Sequence, residues 1–399
     1  MLQARPDHVP PALVRDFDHV FGAAFIEDPF AAFEQTRGDR AFWSPHHGGY
    51  WVLTRMADIR EALQRPQQFS NWPTGIPAHV SRRERMLPLE LDPPDHTAYR
   101  RVLAPMFAPK AVTARTAAIG ATCAQLIDAL APKGHCDFIA EFAQPFPTTI
   151  FTNMLGLPAS EADLFVGWNN VLLHSQDDPE ARRVAGLEIN GYLRELIAAR
   201  GEEPRDDLVS ALLESQVDGR PIERDEVQNL TFMLFVAGLD TVTAALSFCF
   251  RYLAEHAEHR RQIVADPALV PSAVEELLRV HAFINPARTV TEDLEFAGVS
   301  MKAGERVLAS TALASNDPDE FADPLRVRLD RPGNRHLAFG AGPHRCAGSH
   351  LARDELATAV SQWHLRIPEY SAAPDQQIVV HAGGAMGIDR LELVWPVPA

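Results

Sequence analysis

The chain is poor in cysteine, and its cysteines are not spaced for a disulfide framework or a zinc site. Its 399 residues contain 4 cysteines and no CxxC pair, whereas both kinds of site need several cysteines at short spacing. Reduced thiols in a cytoplasmic protein are therefore expected. No HExxH, GxSxG or Walker-type loop is present either, so the sequence offers no motif for zinc-protease, serine-hydrolase or P-loop chemistry.

Positive charge is also scarce. The 37 lysines and arginines stand against 53 aspartates and glutamates, which gives a formal net charge of -16. This balance excludes wholesale nucleic-acid binding, because that function needs clustered cations facing the phosphates. The N-terminal stretch MLQARPDHVPPALVRDFD lacks an apolar core, so neither a signal peptide nor a membrane anchor is expected.

One apolar run, 229–250, is nearly long enough to cross a bilayer. Asp240 lies at its middle, where an ionised carboxylate would be costly in lipid, and the helical pattern continues into polar sequence on both sides. No proline interrupts the chain between Pro221 and Pro267. We therefore predict a helix over 222–255, buried in the core of a soluble protein that does not engage a membrane.

Most of the remaining sequence favours helices. Short strand-like pieces are predicted at 49–54, 294–299, 306–311, 377–380 and 391–395. The residues 97–131 and 138–155 are predicted as two long helical runs, and LEFAGVSMKAGERVLAS as a hairpin that turns near Lys302–Gly304. No linker or repeat divides the chain. The prediction is a mainly α fold with small β-sheets, in a single domain over residues 1–399.

The cysteine at position 346 lies in the loop FGAGPHRCAG, residues 339–348. The loop lacks the third glycine of GxGxxG and contains Pro343, which has no N–H, so phosphate binding is not favoured. A free cysteine is most often a small buried hydrophobe. Here, however, glycines allow backbone N–H groups to point at the sulfur, and a predicted helix begins directly after the loop, so a thiolate is favoured. A single thiolate without companion ligands points to heme iron.

These residues resemble those of the cytochrome P450 family, in particular its soluble bacterial camphor-hydroxylase-type members. Four motifs carry the resemblance, in the family's order: DPPDHTAYRR at 92–101, AGLDT at 237–241, EELLR at 275–279 and FGAGPHRCAG at 339–348. The resemblance implies the cytochrome P450 fold, with heme b buried between the long central helix and the cysteine loop. Cys346 would be the axial iron ligand, with Phe339 and Gly348 beside the cofactor.

The same resemblance implies roles for charged residues around the heme. The propionate groups would be held by His96, Arg100, Arg288 and His344. Since heme carries two carboxylates, buried cations at that end meet an electrostatic requirement. Glu276, Arg279 and Arg331 would form a structural network beneath the heme loop and take no part in the chemistry.

A further pair, Asp240 and Thr241, lies at the middle of the predicted central helix. A buried Asp–Thr pair is costly unless it is hydrogen-bonded. One explanation is structural: a kinked helix in which Thr241 bonds a carbonyl one turn earlier, helped by Gly238. The resemblance implies a function for the same distortion, since in the family it opens a groove for dioxygen and water. Thr241 would then stabilise the reduced oxygen species, and Asp240 would relay protons.

The sequence defines the substrate only by class. By position in the family, mostly apolar residues should line the pocket together with the segment 71–91: Met233, Val236, Ala237, Ile284, Asn285, Ala385 and Met386. They suit a small apolar substrate such as a terpenoid or norisoprenoid. Camphor is disfavoured, because no tyrosine occurs over 76–96 and Pro286 stands where the camphor enzymes have an aspartate. RRER at 82–85 leaves an aromatic or fatty carboxylic acid open.

Electrons must come from another protein, because the sequence holds no flavin or nicotinamide motif. The resemblance implies an iron–sulfur ferredoxin and its NAD(P)H-dependent reductase as partners. A basic patch on the cysteine side is predicted from Arg101, Lys110, Arg335 and Arg345. Two alternatives keep the heme but change its use: a non-catalytic heme-thiolate binder or sensor, and peroxide-driven oxidation. The Asp240–Thr241 pair argues against both, because neither needs a proton relay.

Overall fold

The structure is a computed structural model that describes residues 2–78, 85–174 and 178–397. Helices dominate this part of the chain, which confirms the predicted class. Their bounds are α1 (Ala23–Glu27), α2 (Pro29–Glu34), α3 (Met56–Gln64), α4 (Asp95–Leu103), α5 (Pro109–Thr113), α6 (Thr116–Leu130), α7 (Pro145–Met154), α8 (Ala162–His174), α9 (Pro179–Glu202), α10 (Leu208–Leu213), α11 (Arg224–Glu255), α12 (Ala257–Ala265), α13 (Val270–Val280), α14 (Thr311–Ser315) and α15 (Ser349–Arg366).

Prolines divide the two long helical runs that the sequence predicts. The run over 97–131 is wrong as a single helix: α4 ends at Leu103, Pro105 lies in a short 3₁₀ turn, and α5 begins at Pro109. Proline has no N–H to donate and clashes with the preceding turn, but its fixed φ suits the start of a helix. In the same way, Pro145 begins α7 after one turn of π-helix.

The central helix α11 runs from Arg224 to Glu255, close to the predicted 222–255. It begins with a capping box, in which the side chains of Glu223 and Glu226 each accept from the other residue's backbone N–H. Within the described residues it is the one helix long and apolar enough to span a membrane, but 72% of its most apolar window is buried. It packs against α7, α9, α13 and α15, as expected of a core helix.

The strands are short and form small sheets. Their bounds are β1 (Ala41–Ser44), β2 (Tyr50–Leu53), β3 (Phe69–Ser70), β4 (His135–Asp137), β5 (Gln216–Val217), β6 (Arg220–Pro221), β7 (Ala287–Val290), β8 (Leu294–Phe296), β9 (Val299–Met301), β10 (Arg306–Leu308), β11 (Ser371–Ala372), β12 (Val379–His381), β13 (Gly387–Arg390) and β14 (Glu392–Val394). The largest sheet has the order β1–β2–β10–β7–β3. Ser70 of β3 pairs with Thr289 of β7, so the chain that leaves β3 passes beside Arg288.

The predicted hairpin turn is wrong by one strand. β8 and β9 pair antiparallel with Phe296 opposite Val299, so the tight turn is Ala297–Gly298. Both turn residues have positive φ, 53° and 83°, as in the type I′ turn that matches the twist of an antiparallel pair. The predicted turn, Lys302–Gly304, instead joins β9 to β10, which pairs with β7 in the larger sheet.

Candidate active site

The cysteine loop is held in shape by backbone hydrogen bonds. The Cys346 N–H donates to the Phe339 carbonyl over 2.9 Å, and the Arg345 N–H donates to the Gly342 carbonyl over 3.1 Å. Gly342 has a φ of 68°, and a Cβ at this position would lie 2.2 Å from the carbonyl oxygen of Leu63. Only glycine fits here, because any side chain would both strain the backbone and collide with α3.

The Cys346 side chain is accessible, whereas Cys123, Cys136 and Cys249 are buried. Protein groups still surround the sulfur closely, and this desolvation raises the pKa of the Cys346 thiol. The groups that oppose the shift are the N–H of Gly348 and the guanidinium groups of Arg100, Arg345 and Arg353. These donors and cations act in the direction that the sequence predicts, and the ionised state of Cys346 stays a prediction. A coordinated metal cation deprotonates a thiol outright.

Residues that the resemblance assigns to the heme propionates gather beside this loop. The ring centroids of His96 and His344 lie 4.2 Å apart. Arg288 is linked to them through Asn71, whose Oδ1 accepts from Arg288 Nη1 over 2.5 Å and whose Nδ2 lies 3.4 Å from His344 Nδ1. Arg100 donates to a backbone carbonyl of the cysteine loop. The structure thus brings the four predicted residues together and adds Asn71, which sequence reasoning missed.

Burial disfavours positive charge throughout this cluster. It lowers the pKa of His96 to about 4 and the pKa of His344 to about 2, and nearby guanidinium groups add to both effects. It also lowers the pKa of Arg288 to about 10. At pH 7 the two imidazoles are therefore neutral while the guanidinium of Arg288 stays charged.

The cluster fits a group with two carboxylates. His96 Nδ1 and His344 Nε2 are buried without a hydrogen-bond partner, and among the described residues no carboxylate forms an ion pair with Arg100 or Arg288. Each unpartnered buried polar group costs about 1–3 kcal/mol. Two carboxylates placed here would accept from the imidazoles and neutralise the guanidinium groups. Heme b supplies such a pair, so the residues present fit it.

Glu276, Arg279 and Arg331 form a buried network below the loop. Glu276 accepts from Arg279 in two bonds of 2.8 Å and from Arg331 Nε over 2.9 and 3.0 Å. Burial would raise the pKa of Glu276, but the two guanidinium groups hold it below its ordinary value. Arg279 also donates to the Ser315 carbonyl over 2.9 Å, and Asn334 donates to Glu276 over 3.1 Å. The network therefore joins α13 to α14 and to the segment before the cysteine loop.

Replacing Glu276 by Gln should lower the free energy of unfolding by about 3–5 kcal/mol, because two buried guanidinium groups would lose their counter-charge. Urea denaturation of the purified variant measures the loss. Glu258→Gln, on the exposed face of α12, is the control and should change stability by less than about 0.5 kcal/mol. Equal stability of the two variants would remove the network's structural role.

A second network of charged side chains is centred on Glu275 of α13, and the sequence does not predict it. Glu275 accepts from Arg353 over 2.5 and 2.9 Å and lies 3.1 Å from His336 Nε2. The Arg353 guanidinium stacks 4.3 Å from the centroid of the Phe339 ring. These contacts fix the Phe339 end of the cysteine loop. In the sequence, the network is marked only by Glu275, the first glutamate of EELLR. A glutamate at this place in a helix is typical of an exposed residue, so the sequence alone does not predict the network.

The middle of α11 presents an accessible strip in an otherwise largely buried helix. Ala237 is exposed, and Val236 and Thr241 are half-buried, so this face of the helix is accessible, and the space in front of it is termed the cleft. Thr241 Oγ1 donates to the Ala237 carbonyl over 2.8 Å, which is the bond that the structural explanation of the pair expects. Asp240, next to it, is 8% exposed. The chain remains α-helical through this turn, so the distortion expected from the sequence is limited to the side-chain bond.

The other predicted pocket residues divide into accessible and buried ones. Ile284 and Ala385 form an isolated antiparallel bridge and are both half-buried. Met233 and Met386 are only 8% and 1% exposed, so they belong mainly to the core. Asn285 is buried too, and its Nδ2 donates over 2.8 Å to a carbonyl of the turn before Ala385. Its side chain therefore fixes that turn, while its Oδ1 has no partner.

Part of the predicted pocket wall, 79–84, lies outside the described residues, and with it Arg82 and Arg83 of the RRER motif. Arg85 is described, and its guanidinium stacks 4.9 Å from the centroid of the Trp72 ring. Stacking uses the face of a guanidinium and leaves its in-plane N–H groups able to donate. A carboxylate-binding role for Arg85 stays a prediction.

Comparisons with known proteins agree with this site. Residues 181–363 match the family model described as Cytochrome P450. The chain is 36% identical to probable cytochrome P450 127A1 of Sinorhizobium fredii, over 98% of this chain and 96% of that protein. It is 32% identical to the steroid C26-monooxygenase of Mycobacterium tuberculosis, over 92% and 93%. The crystal structure of CYP101J2 superposes with a TM-score of 0.91 at 33% identity, covering 99% of this chain and 100% of that one. The chain belongs to the cytochrome P450 family, and it is a monooxygenase that binds heme b.

Proposed function

We propose that the chain, as one catalytic domain, hydroxylates a small apolar molecule with dioxygen and with electrons from a ferredoxin. The observation that carries the proposal is the combination of an accessible cysteine in a hydrogen-bonded loop with a buried Asp240 and a half-buried Thr241 in the middle of α11. The first is what heme ligation needs, and the second is what controlled proton supply needs. A cytoplasmic location fits an enzyme served by such partners.

The cysteine loop and the histidine–arginine cluster would hold the cofactor. Cys346 would ligate the iron, and the propionates would be bound by His96, Arg100, Arg288 and His344. When bound, heme supplies the activation of dioxygen and its transfer to a C–H bond. Phe339 is held by the Arg353 guanidinium, so the ring keeps the loop beside the cofactor rigid.

Asp240 and Thr241 would move protons during oxygen activation. The Thr241 hydroxyl donates to the Ala237 carbonyl, so its oxygen lone pairs can still accept a hydrogen bond. Asp240 is buried, so a carboxyl group there exchanges protons through a few ordered contacts and not through bulk water. Proton transfer by a positioned side chain accelerates a reaction by about 10²–10⁴-fold.

The substrate class follows from the accessible side chains of the cleft. Val236, Ala237, Ile284 and Ala385 offer apolar surface and no charge, and such walls suit a compact hydrocarbon skeleton. One relative is named a steroid C26-monooxygenase, which supports an apolar substrate. A terpenoid or norisoprenoid is the proposed class, with an aromatic or fatty acid as the alternative if Arg85 binds carboxylate. Titration with ionones, terpenoids and aromatic acids, read from the heme absorption, decides between them.

The electron donor would dock on the cysteine side. Arg101, Lys110, Arg335 and Arg345 are all exposed, and Arg100, next to Arg101 in α4, bonds the cysteine loop. A docking surface formed by these cations would steer an acidic ferredoxin to an otherwise acidic protein. An NAD(P)H-dependent reductase would then supply the ferredoxin.

Arg345→Glu should slow electron transfer from ferredoxin by about ten-fold and flatten its dependence on salt, because a rim charge acts mainly on association. Stopped-flow reduction at several ionic strengths measures both. Arg194→Glu, exposed on α9, makes the same charge change away from the loop and should leave the rate unchanged. Equal rates in both variants would remove Arg345 from the docking surface.

Turnover assays separate the proposal from its two alternatives. Product formation with ferredoxin, reductase and dioxygen supports the proposal. Efficient turnover with peroxide alone would favour peroxide-driven oxidation. Absence of turnover under both conditions, with substrate-induced spectral changes retained, would favour a binder or sensor.

A further inference from the structure

We propose that Asn229 is a positioning residue, which fastens one wall of the substrate cleft to the central helix and so determines how tightly bulky ligands are held. The inference rests on the proposed function, because it takes the accessible strip of α11 as the place where substrate binds.

Both polar atoms of the Asn229 side chain bond the same short stretch of backbone. Oδ1 accepts from the Leu87 N–H over 2.8 Å, and Nδ2 donates to the Arg85 carbonyl over 2.9 Å. This pairing needs one donor and one acceptor at fixed spacing, which a primary amide provides. Asn229 is half-buried, so its bond to the Leu87 N–H is partly shielded from competing water, whereas its bond to the Arg85 carbonyl is exposed.

Helix geometry places Asn229 on the side of α11 that includes Val236, at the edge of the accessible strip. It precedes Met233, Val236 and Asp240 by four, seven and eleven residues, and these spacings lie on one side of an α-helix. The Arg85–Leu87 stretch therefore docks at the N-terminal end of the accessible strip, less than two turns before Val236.

The turn that Asn229 holds is a compact unit with a second attachment. The Met86 N–H donates to Glu90 Oε2, and the Glu90 N–H donates to the Met86 carbonyl, both over 2.8 Å. At the other end, Asn71 Nδ2 donates to the Leu89 carbonyl, and Asn71 is the residue that links Arg288 to His344. The turn thus spans from the histidine–arginine cluster to α11, with Asn229 as its attachment on the helix.

Loss of the Asn229 amide would free the helix end of this turn while Asn71 keeps the other end in place. A ligand that fills the cleft would lose a fixed apolar wall, whereas a ligand small enough to touch only the iron would not. Loss of the Asn229 amide should therefore weaken the binding of large ligands more than that of small ones. Loss of a residue that only stabilises the fold would weaken the binding of both to the same extent.

The test compares two iron-binding probes of different size, imidazole and 4-phenylimidazole, by spectral titration of the heme-loaded protein. Asn229→Leu should raise the Kd of 4-phenylimidazole roughly ten-fold, the loss of one to two net hydrogen bonds, and leave the Kd of imidazole unchanged. Gln376→Leu is the matched control, because Gln376 makes the same pair of bonds, 2.8 and 2.9 Å, to the backbone of Glu392. It should change neither Kd.

Asn229→Asp keeps the acceptor for the Leu87 N–H and loses the donor to the Arg85 carbonyl, so it should raise the Kd of 4-phenylimidazole by less than Asn229→Leu does. This variant provides the test if Asn229→Leu does not fold. The inference is overturned if both Asn229 variants affect the two probes equally, or affect 4-phenylimidazole no more than Gln376→Leu does. Absence of product from the heme-loaded wild-type protein with ferredoxin, reductase and dioxygen would instead overturn the proposed function, whatever the two probes show.

Discussion

Cys346→His is expected to reduce product formation to background while the protein still binds heme. The histidine–arginine cluster is untouched by the substitution, and its unpartnered His96 and His344 nitrogens would still bind the propionates. An imidazole ligand lacks the electron-donating thiolate sulfur that favours O–O cleavage. Product analysis and heme content, measured on the same preparation, test both halves of the prediction.

The control for this variant is Cys249→Ala. Cys249 is buried in α11, where burial raises the pKa of its thiol to about 12, so it is inert. Turnover should persist in that variant, with some loss of stability from the removed side chain. If the histidine variant of Cys346 retained turnover comparable to that of Cys249→Ala, another residue would have to be the iron ligand.

Substitutions of Asp240 and Thr241 are expected to damage proton supply in two different ways. Asp240→Asn should slow turnover by about 100-fold or more, because the carboxyl group that exchanges protons is lost. Thr241→Ala should instead uncouple the reaction: NAD(P)H is still consumed, but it yields hydrogen peroxide, and less than about a tenth of it yields product. Parallel measurement of NAD(P)H, peroxide and product distinguishes the two effects.

Thr243→Ala is the matched control for Thr241→Ala. Thr243 lies two residues further along α11, is buried, and donates to the carbonyls of Ala143 and Leu239 at 3.0 Å each. Its loss should cost about 1 kcal/mol of stability and leave coupling unchanged. Unchanged coupling in the Thr241 variant as well would show that its hydroxyl only bonds Ala237.

The parts of the site that lie within continuous motifs could be predicted from the sequence. The bounds of α11 follow from an apolar run with polar ends and no internal proline. Grouping His96 with Arg100, and Glu276 with Arg279, needs only helical spacing. Arg331 lies 55 residues from Glu276 in the chain, and it was placed by resemblance, since no local pattern links the two.

The parts that depend on distant pairing could not be predicted. Asn71 reaches Arg288 because β3 pairs with β7, and no motif marks either strand. Glu275 binds Arg353 across 78 residues, which is a tertiary contact. The desolvation that raises the pKa of the Cys346 thiol comes from protein groups packed around the loop, which a local motif does not show. Pro105 and Pro109 do mark the two helix breaks in the sequence. The apolar pattern continues across both prolines, however, and therefore favours one long helix.

The measurement that tests the account most directly is the absorption spectrum of the ferrous, carbon-monoxide-bound wild-type protein, purified after expression with ample heme. If the Cys346 sulfur binds the iron, the Soret band lies at the position typical of thiolate ligation. A band at the position typical of histidine ligation, in freshly prepared and folded protein, would contradict it.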